Sequence, residues 1–181
     1  MTPLAYAGIG SRSTPEPICA LITRVAAALA RRGWLLRSGG AIGADRAFEL
    51  GATKAGGACE IYRPDRARTP TEIAAPHLPT FPQALELAAQ HHPYWASLAP
   101  YVRALHARNG FQVLGRDLSS PVRFVLCWTP QFSLGPNDEI TAVSGGTGQA
   151  VRVALANSVP VFHLGHPPHR ERIGQMLKGA A

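Results

Sequence analysis

Short apolar runs alternate with amphipathic stretches along this chain, with glycine at the junctions, and that alternation constrains the fold more than any other feature. Leu4 to Ile9 is apolar and runs into Gly8-Ile9-Gly10, which reads as a strand buried on both faces. Ser13-Thr14-Pro15-Glu16 then opens a helix, with a hydroxyl at the N-cap, proline at the first position and an acid in the first turn. Ile18, Leu21, Ile22, Val25, Ala26 and Leu29 recur at helical spacing, and Arg31-Arg32-Gly33 supplies the stop. Trp34 to Arg37 is a second strand, Ala44 to Ala55 a second helix and Ala58 to Tyr62 a third strand. Strands separated by whole helices cannot be hairpins and need parallel crossovers. The expected class is therefore α/β, a Rossmann-like three-layer sandwich with a mainly parallel central sheet.

The second half continues the pattern less regularly. Arg63 to Pro82 reads as a long surface loop. Pro82 to Gln90 and Pro100 to Val113 are amphipathic and helical, and Val122 to Trp128 is the strongest strand of the sequence. A second polar loop, Thr129 to Ser144, leads to Gly145-Gly146-Thr147-Gly148 and a helix through Asn157. Val159 to His163 is a last strand, followed by a weak helix. At 181 residues the chain suits one full hydrophobic core, so residues 1–181 are expected to form a single domain.

Composition narrows the setting. Apolar residues make up 46% of the chain, yet none of its runs approaches the roughly 20 residues of a membrane span. The N-terminus, Met1-Thr2-Pro3-Leu4-Ala5-Tyr6, has no basic and apolar leader. Cys19, Cys59 and Cys127 are odd in number and lack metal spacing, which fits reduced thiols and a cytoplasmic location. The formal charge of +7 comes almost wholly from arginine, the side chain suited to bidentate contact with phosphate. No run of basic residues interleaved with aromatics marks a nucleic-acid surface.

In an open parallel sheet, ligands sit beyond the carboxyl ends of the strands where strand order reverses. Three loops leave strands at that edge: Gly10-Ser11-Arg12, Ser38-Gly39-Gly40 through Gly43 to Asp45, and Gly145-Gly146-Thr147-Gly148-Gln149. Glycine lets the main chain approach a ligand, and helix N-termini aim amides at an anion. A phosphorylated ligand follows. Neither a Gly-Lys-Ser/Thr phosphate loop nor a complete Gly-x-Gly-x-x-Gly with its ribose acid is present, which excludes an ordinary P-loop nucleotidase or NAD dehydrogenase.

On these residues the chain resembles the SLOG superfamily, which takes in the DprA/Smf Rossmann domain, the LOG lysine decarboxylase-like phosphoribohydrolases, YpsA-type proteins and molybdenum-cofactor carriers. Gly10-Ser11-Arg12 together with Ser38-Gly39-Gly40-Ala41-Ile42-Gly43-Ala44-Asp45 is most similar to DprA-like proteins. The resemblance spans Tyr6 to Val161 and implies a nucleotide or nucleotide-derived ligand at the sheet edge, with homo-oligomers common. LOG enzymes carry Pro-Gly-Gly-x-Gly-Thr-x-x-Glu, whose glutamate works in cleaving the base from a nucleoside 5′-monophosphate. Here the turn reads Ser144-Gly145-Gly146-Thr147-Gly148-Gln149-Ala150-Val151-Arg152, with no acid. LOG-like N-glycosidase activity and DprA-like single-stranded DNA binding are the alternatives the resemblance leaves.

Asp45, at the start of the second helix, is a candidate to hold a ribose hydroxyl, orient Arg12 or act as a base, and Glu49 shares its helix face at i+4. Those two carboxylates are the candidate catalytic groups. Arg108, Asn109 and Gln112 have the donors to read a base edge or phosphate, and Trp128 is a candidate for stacking on a base. His163, His166 and His169 lie on a proline-rich loop rather than one helix face, so no metal site and no resident cofactor are expected.

Overall fold

The computed structural model describes residues 4–179, so Met1-Thr2-Pro3 of the N-terminal segment lies outside the described residues. In chain order the strands are β1 (Ala5–Gly10), β2 (Leu35–Ser38), β3 (Cys59–Arg63), β4 (Glu72–Ala74), β5 (Val125–Trp128), β6 (Phe132–Leu134), β7 (Ile140–Val143) and β8 (Val161–His163). Six of them form one sheet in the order β4-β3-β2-β1-β5-β8, with every pairing parallel. The helices are α1 (Glu16–Ala30), α2 (Ala44–Lys54), α3 (Phe81–Gln90), α4 (Pro100–Leu114), α5 (Thr147–Ala156) and α6 (Pro167–Gly179).

The central strands are buried on both faces, and their alternation divides the core in two. Ala5, Ala7, Ile9, Val125 and Cys127 pack with Val113 of α4 and Ala150 and Val153 of α5. Tyr6, Leu36 and Leu126 turn the other way, against Ile22 and Leu29 of α1, Phe48 of α2 and Ile173 of α6. The result is the α/β three-layer sandwich, Rossmann-like and parallel, that the period changes predict. No helix among the described residues is long and apolar enough to cross a membrane.

Four local expectations are corrected. The segment 63–82 holds β4, which adds to β3 in parallel register, Ile61 opposite Glu72 and Tyr62 opposite Ile73. Three residues are too few to show alternation, and an edge strand needs little apolar surface. The segment 129–144 contains an antiparallel hairpin of β6 and β7. The strands expected to begin at Val122 and Val159 begin at Val125 and Val161, because the earlier residues bond back to the preceding helices through Val122 N–H to Val113 O and Val159 N–H to Ala154 O. Pro15, not Ser13 or Thr14, occupies the N-cap of α1, and no side chain caps it. Those hydroxyls stabilise the preceding loop instead: Thr14 Oγ1 donates to Ser11 O at 2.6 Å, and Ser11 Oγ lies 2.8 Å from Ser13 Oγ.

Candidate functional site

Strand order reverses beside β1: the chain runs outward from β1 through β2 and β3, then returns to place β5 on its other side. The loops leaving β1 and β5 must therefore part, and a crevice opens between them. A cleft of about 900 Å³ lies there, lined by Gly10 to Ser13, Gly39 to Ile42, Asp45, Arg63 and Pro64, Pro130, Ser144 to Thr147, and one face of α4.

The loops after β1 and β2 are locked together. Gly43 has φ +83°, and a side-chain carbon there would lie 2.4 Å from Ser11 O, so glycine satisfies both the backbone and the contact. Ala44 N–H donates to that same Ser11 oxygen at 3.2 Å. Asp45 is 3% exposed and accepts from Gly10 N–H at 3.0 Å and Ala41 N–H at 3.4 Å. Its carboxylate thus holds two of the glycine loops in place. Burial pushes the Asp45 carboxyl above the usual range, while Arg108 and the bonded amides pull it back.

Arg108 reaches the same point from α4. Its guanidinium occupies the space beside Gly39, where an added carbon would fall 1.2 Å from Nη1, and Nη1 is 3.9 Å from Asp45 Oδ2. In the orientation its neighbours dictate, Gln112 accepts through its carbonyl oxygen from Gly39 N–H at 2.9 Å and from Arg108 Nη1 at 2.7 Å. The Gln112 amide nitrogen donates to Asn109 Oδ1 at 3.2 Å, and Asn109 Nδ2 donates to Gln149 Oε1 at 2.9 Å. A chain of neutral amides therefore runs under the cleft from the β2 loop through α4 to α5.

Buried polar atoms in folded proteins are normally bonded. Six buried side-chain atoms among the described residues lack a hydrogen bond, and three of them, Nε of Arg63, Nε of Arg108 and Nδ1 of His106, belong to residues lining this cleft. Arg63 Nε nevertheless lies 3.7 Å from Glu72 Oε1, and Arg63 Nη1 donates to Gly40 O at 2.8 Å. Arg108 Nε and His106 Nδ1 thus leave hydrogen-bonding capacity unmet on the α4 side of the cleft.

Of the residues singled out by sequence, Gly10, Ser11, Arg12, Gly39, Gly40, Asp45, Arg108, Asn109, Gln112, Gly145, Gly146 and Thr147 line the cleft. Ser38, Gly43, Glu49, Trp128, Gly148 and Gln149 do not. Ser38 is fully buried and donates to Gly8 O at 2.6 Å. Glu49 pairs with Arg46 at 3.2 Å. Trp128 packs against the core, and Gln149 bonds Asn109 behind the cleft. Arg63, Tyr101, Leu105 and His106 line the cleft without having been singled out. Arg63 ends a strand at the ligand edge, and Tyr101 and Leu105 precede Arg108, Asn109 and Gln112 on one helical stripe; both signals were in the sequence.

The fold is Rossmann-type, with a crevice where its strand order reverses. No protein-family model matches the sequence, and neither does any curated protein. Solved structures do share the fold. The molybdenum cofactor carrier protein of Chlamydomonas reinhardtii is 18% identical, with 99% of this chain and 88% of that one covered at a TM-score of 0.52. DNA processing protein A of Helicobacter pylori, described for its single-stranded DNA binding mode, is 18% identical, with 99% and 74% covered at 0.56. DNA processing protein A of Streptococcus pneumoniae is 16% identical, with 89% and 50% covered at 0.53. These likenesses show a shared fold.

Proposed function

We propose that the cleft binds a small nucleotide or nucleotide-derived phosphorylated ligand and holds it without turnover. The observation that carries this reading is the buried guanidinium of Arg108, unpartnered at Nε and beside Arg63, at the crevice where three glycine-rich loops meet. A guanidinium fixed by Gln112 and Asp45 is ready for a phosphate, and the N-terminus of α5 adds its dipole. Asp45 is the only carboxylate lining the cleft among the described residues, and backbone amides already occupy it. Neither it nor Glu49 is free for acid–base work, and Arg152, in the segment where LOG enzymes carry their glutamate, donates to His91 O at the surface. Calorimetric titration with nucleoside 5′-monophosphates tests the reading. Arg63→Ala should weaken binding at least tenfold, the value of one charged hydrogen bond. Release of free base, abolished by Asp45→Ala, would replace binding with LOG-like N-glycosidase chemistry.

A second reading is single-stranded DNA binding, favoured by the shared fold with the Helicobacter protein and by exposed Arg12 and Arg46 beside the cleft. It requires a labelled oligonucleotide to bind at low salt with a steep salt dependence, weakened by Arg12→Ala. Absence of binding at low salt removes it. The molybdenum cofactor, for which the Chlamydomonas protein is named, belongs in the same ligand screen.

A further inference from the structure

The stripe of α4 that faces the cleft changes character along its length. Arg108, Asn109 and Gln112 form its polar, buried half, and Tyr101 and Leu105, with His106 at their side, form its first two turns. Tyr101 is 57% exposed and Ile42, which lines the same cleft, is 69% exposed. Two large apolar side chains left open to solvent at one polar cleft are a recognition feature rather than a core. His106 is held from behind, its ring 4.5 Å from that of His92, and its Nδ1 is buried without a protein partner. By helical rise, Tyr101 stands roughly 10 Å along the axis from Arg108, the separation needed for two chemically different parts of one ligand.

We propose that Tyr101, Leu105 and His106 form a subsite for a planar heteroaromatic ring, with the ligand's anionic group toward Arg108 and Arg63; this rests on the binding function proposed above. The phenol of Tyr101 supplies a face for stacking, Leu105 supplies apolar contact, and the part of the His106 imidazole that lines the cleft meets the ring edge. Burial, with His92, Arg152 and Arg108 nearby, lowers His106 to about 4, so at neutral pH its imidazole is uncharged and presents one donor and one acceptor. The stacking role falls to this wall because Trp128 is packed away from the cleft. A bare sugar phosphate would meet the arginines and leave the Tyr101 wall exposed.

Calorimetry with adenosine 5′-monophosphate and with ribose 5-phosphate separates the two ends of the site. The wild-type protein is expected to bind the nucleotide more tightly. Tyr101→Ala should weaken the nucleotide roughly 5- to 150-fold and leave ribose 5-phosphate unchanged. Tyr101→Phe should restore most of the loss, since the ring rather than the hydroxyl stacks, and His106→Phe should weaken the nucleotide alone. Tyr101 is exposed, so its variants keep the fold. Equal affinity for both probes, unmoved by Tyr101→Ala, sinks the ring subsite while the anion site stands. If neither probe binds the wild-type protein, the binding function fails and the ring subsite with it.

Discussion

Gly39 shows how a single missing side chain shapes this site. The guanidinium of Arg108 occupies the space a methyl group would need, so Gly39→Ala must displace Arg108 and break its bond to Gln112. Overpacking of this kind costs about 1–3 kcal/mol, and urea unfolding should register it together with loss of ligand binding. An alanine variant as stable as wild type would show that Arg108 is not held against the loop. Asp45 bears on two loops and a cation at once. Asp45→Ala orphans the amides of Gly10 and Ala41 and leaves Arg108 buried without its counter-charge, a loss of about 3–5 kcal/mol. Asp45→Asn keeps one amide acceptor and should lose clearly less, and the gap between the two variants measures the positioning role. Equal losses would mean that charge alone matters.

Among the elements, the β6–β7 hairpin stands outside the main sheet and is tied to β8 and α6 by side-chain contacts. Phe132 stacks on His163 at 4.0 Å, and His169 Nε2 donates to Asp138 O at 2.6 Å while its Nδ1 accepts from His163 N–H. Phe132→Ala should cost about 1 kcal/mol and speed protease cleavage within residues 129–144, read by limited proteolysis. Unchanged cleavage would place the hairpin's anchor elsewhere. This hairpin was read from sequence as a polar loop, since its strands are only 3 and 4 residues long and are separated by the polar turn Gly135-Pro136-Asn137-Asp138. β1 and β5 were legible because strands buried on both faces must be apolar throughout. The glycine loops were legible for a similar reason: turns at the ligand edge need glycine in the sequence itself. Asp45 was found for its place beside a loop, but whether its carboxylate turns toward ligand or toward Gly10 is set by tertiary approach. The same holds for Trp128, whose aromatic ring looks identical in a core and in a cleft when only sequence is in view.

At the scale of the whole molecule, pH acts through buried imidazoles. Burial, the largest influence, lowers His163 to about 4 and His106 to about 4, both below the ordinary 6.5. The unfolded chain therefore takes up protons first. Stability from these rings is fully present above pH 6.5 and is lost as pH falls toward 4, at about 1.4 kcal/mol per pH unit for each proton. Asp45, raised by burial, acts in the opposite sense, so NMR titration of the ring signals is the cleaner check. Midpoints near 6.5 for both rings would contradict the burial argument. The contact of Gly43 with Ser11, joined to the amide chain from Gly39 to Gln149, has a kinetic corollary. Walls tied to one another cannot close one at a time, so capture needs no slow rearrangement before the ligand is held. Stopped-flow mixing should show a single exponential whose rate rises linearly with ligand concentration, and residence time alone should distinguish one bound molecule from another.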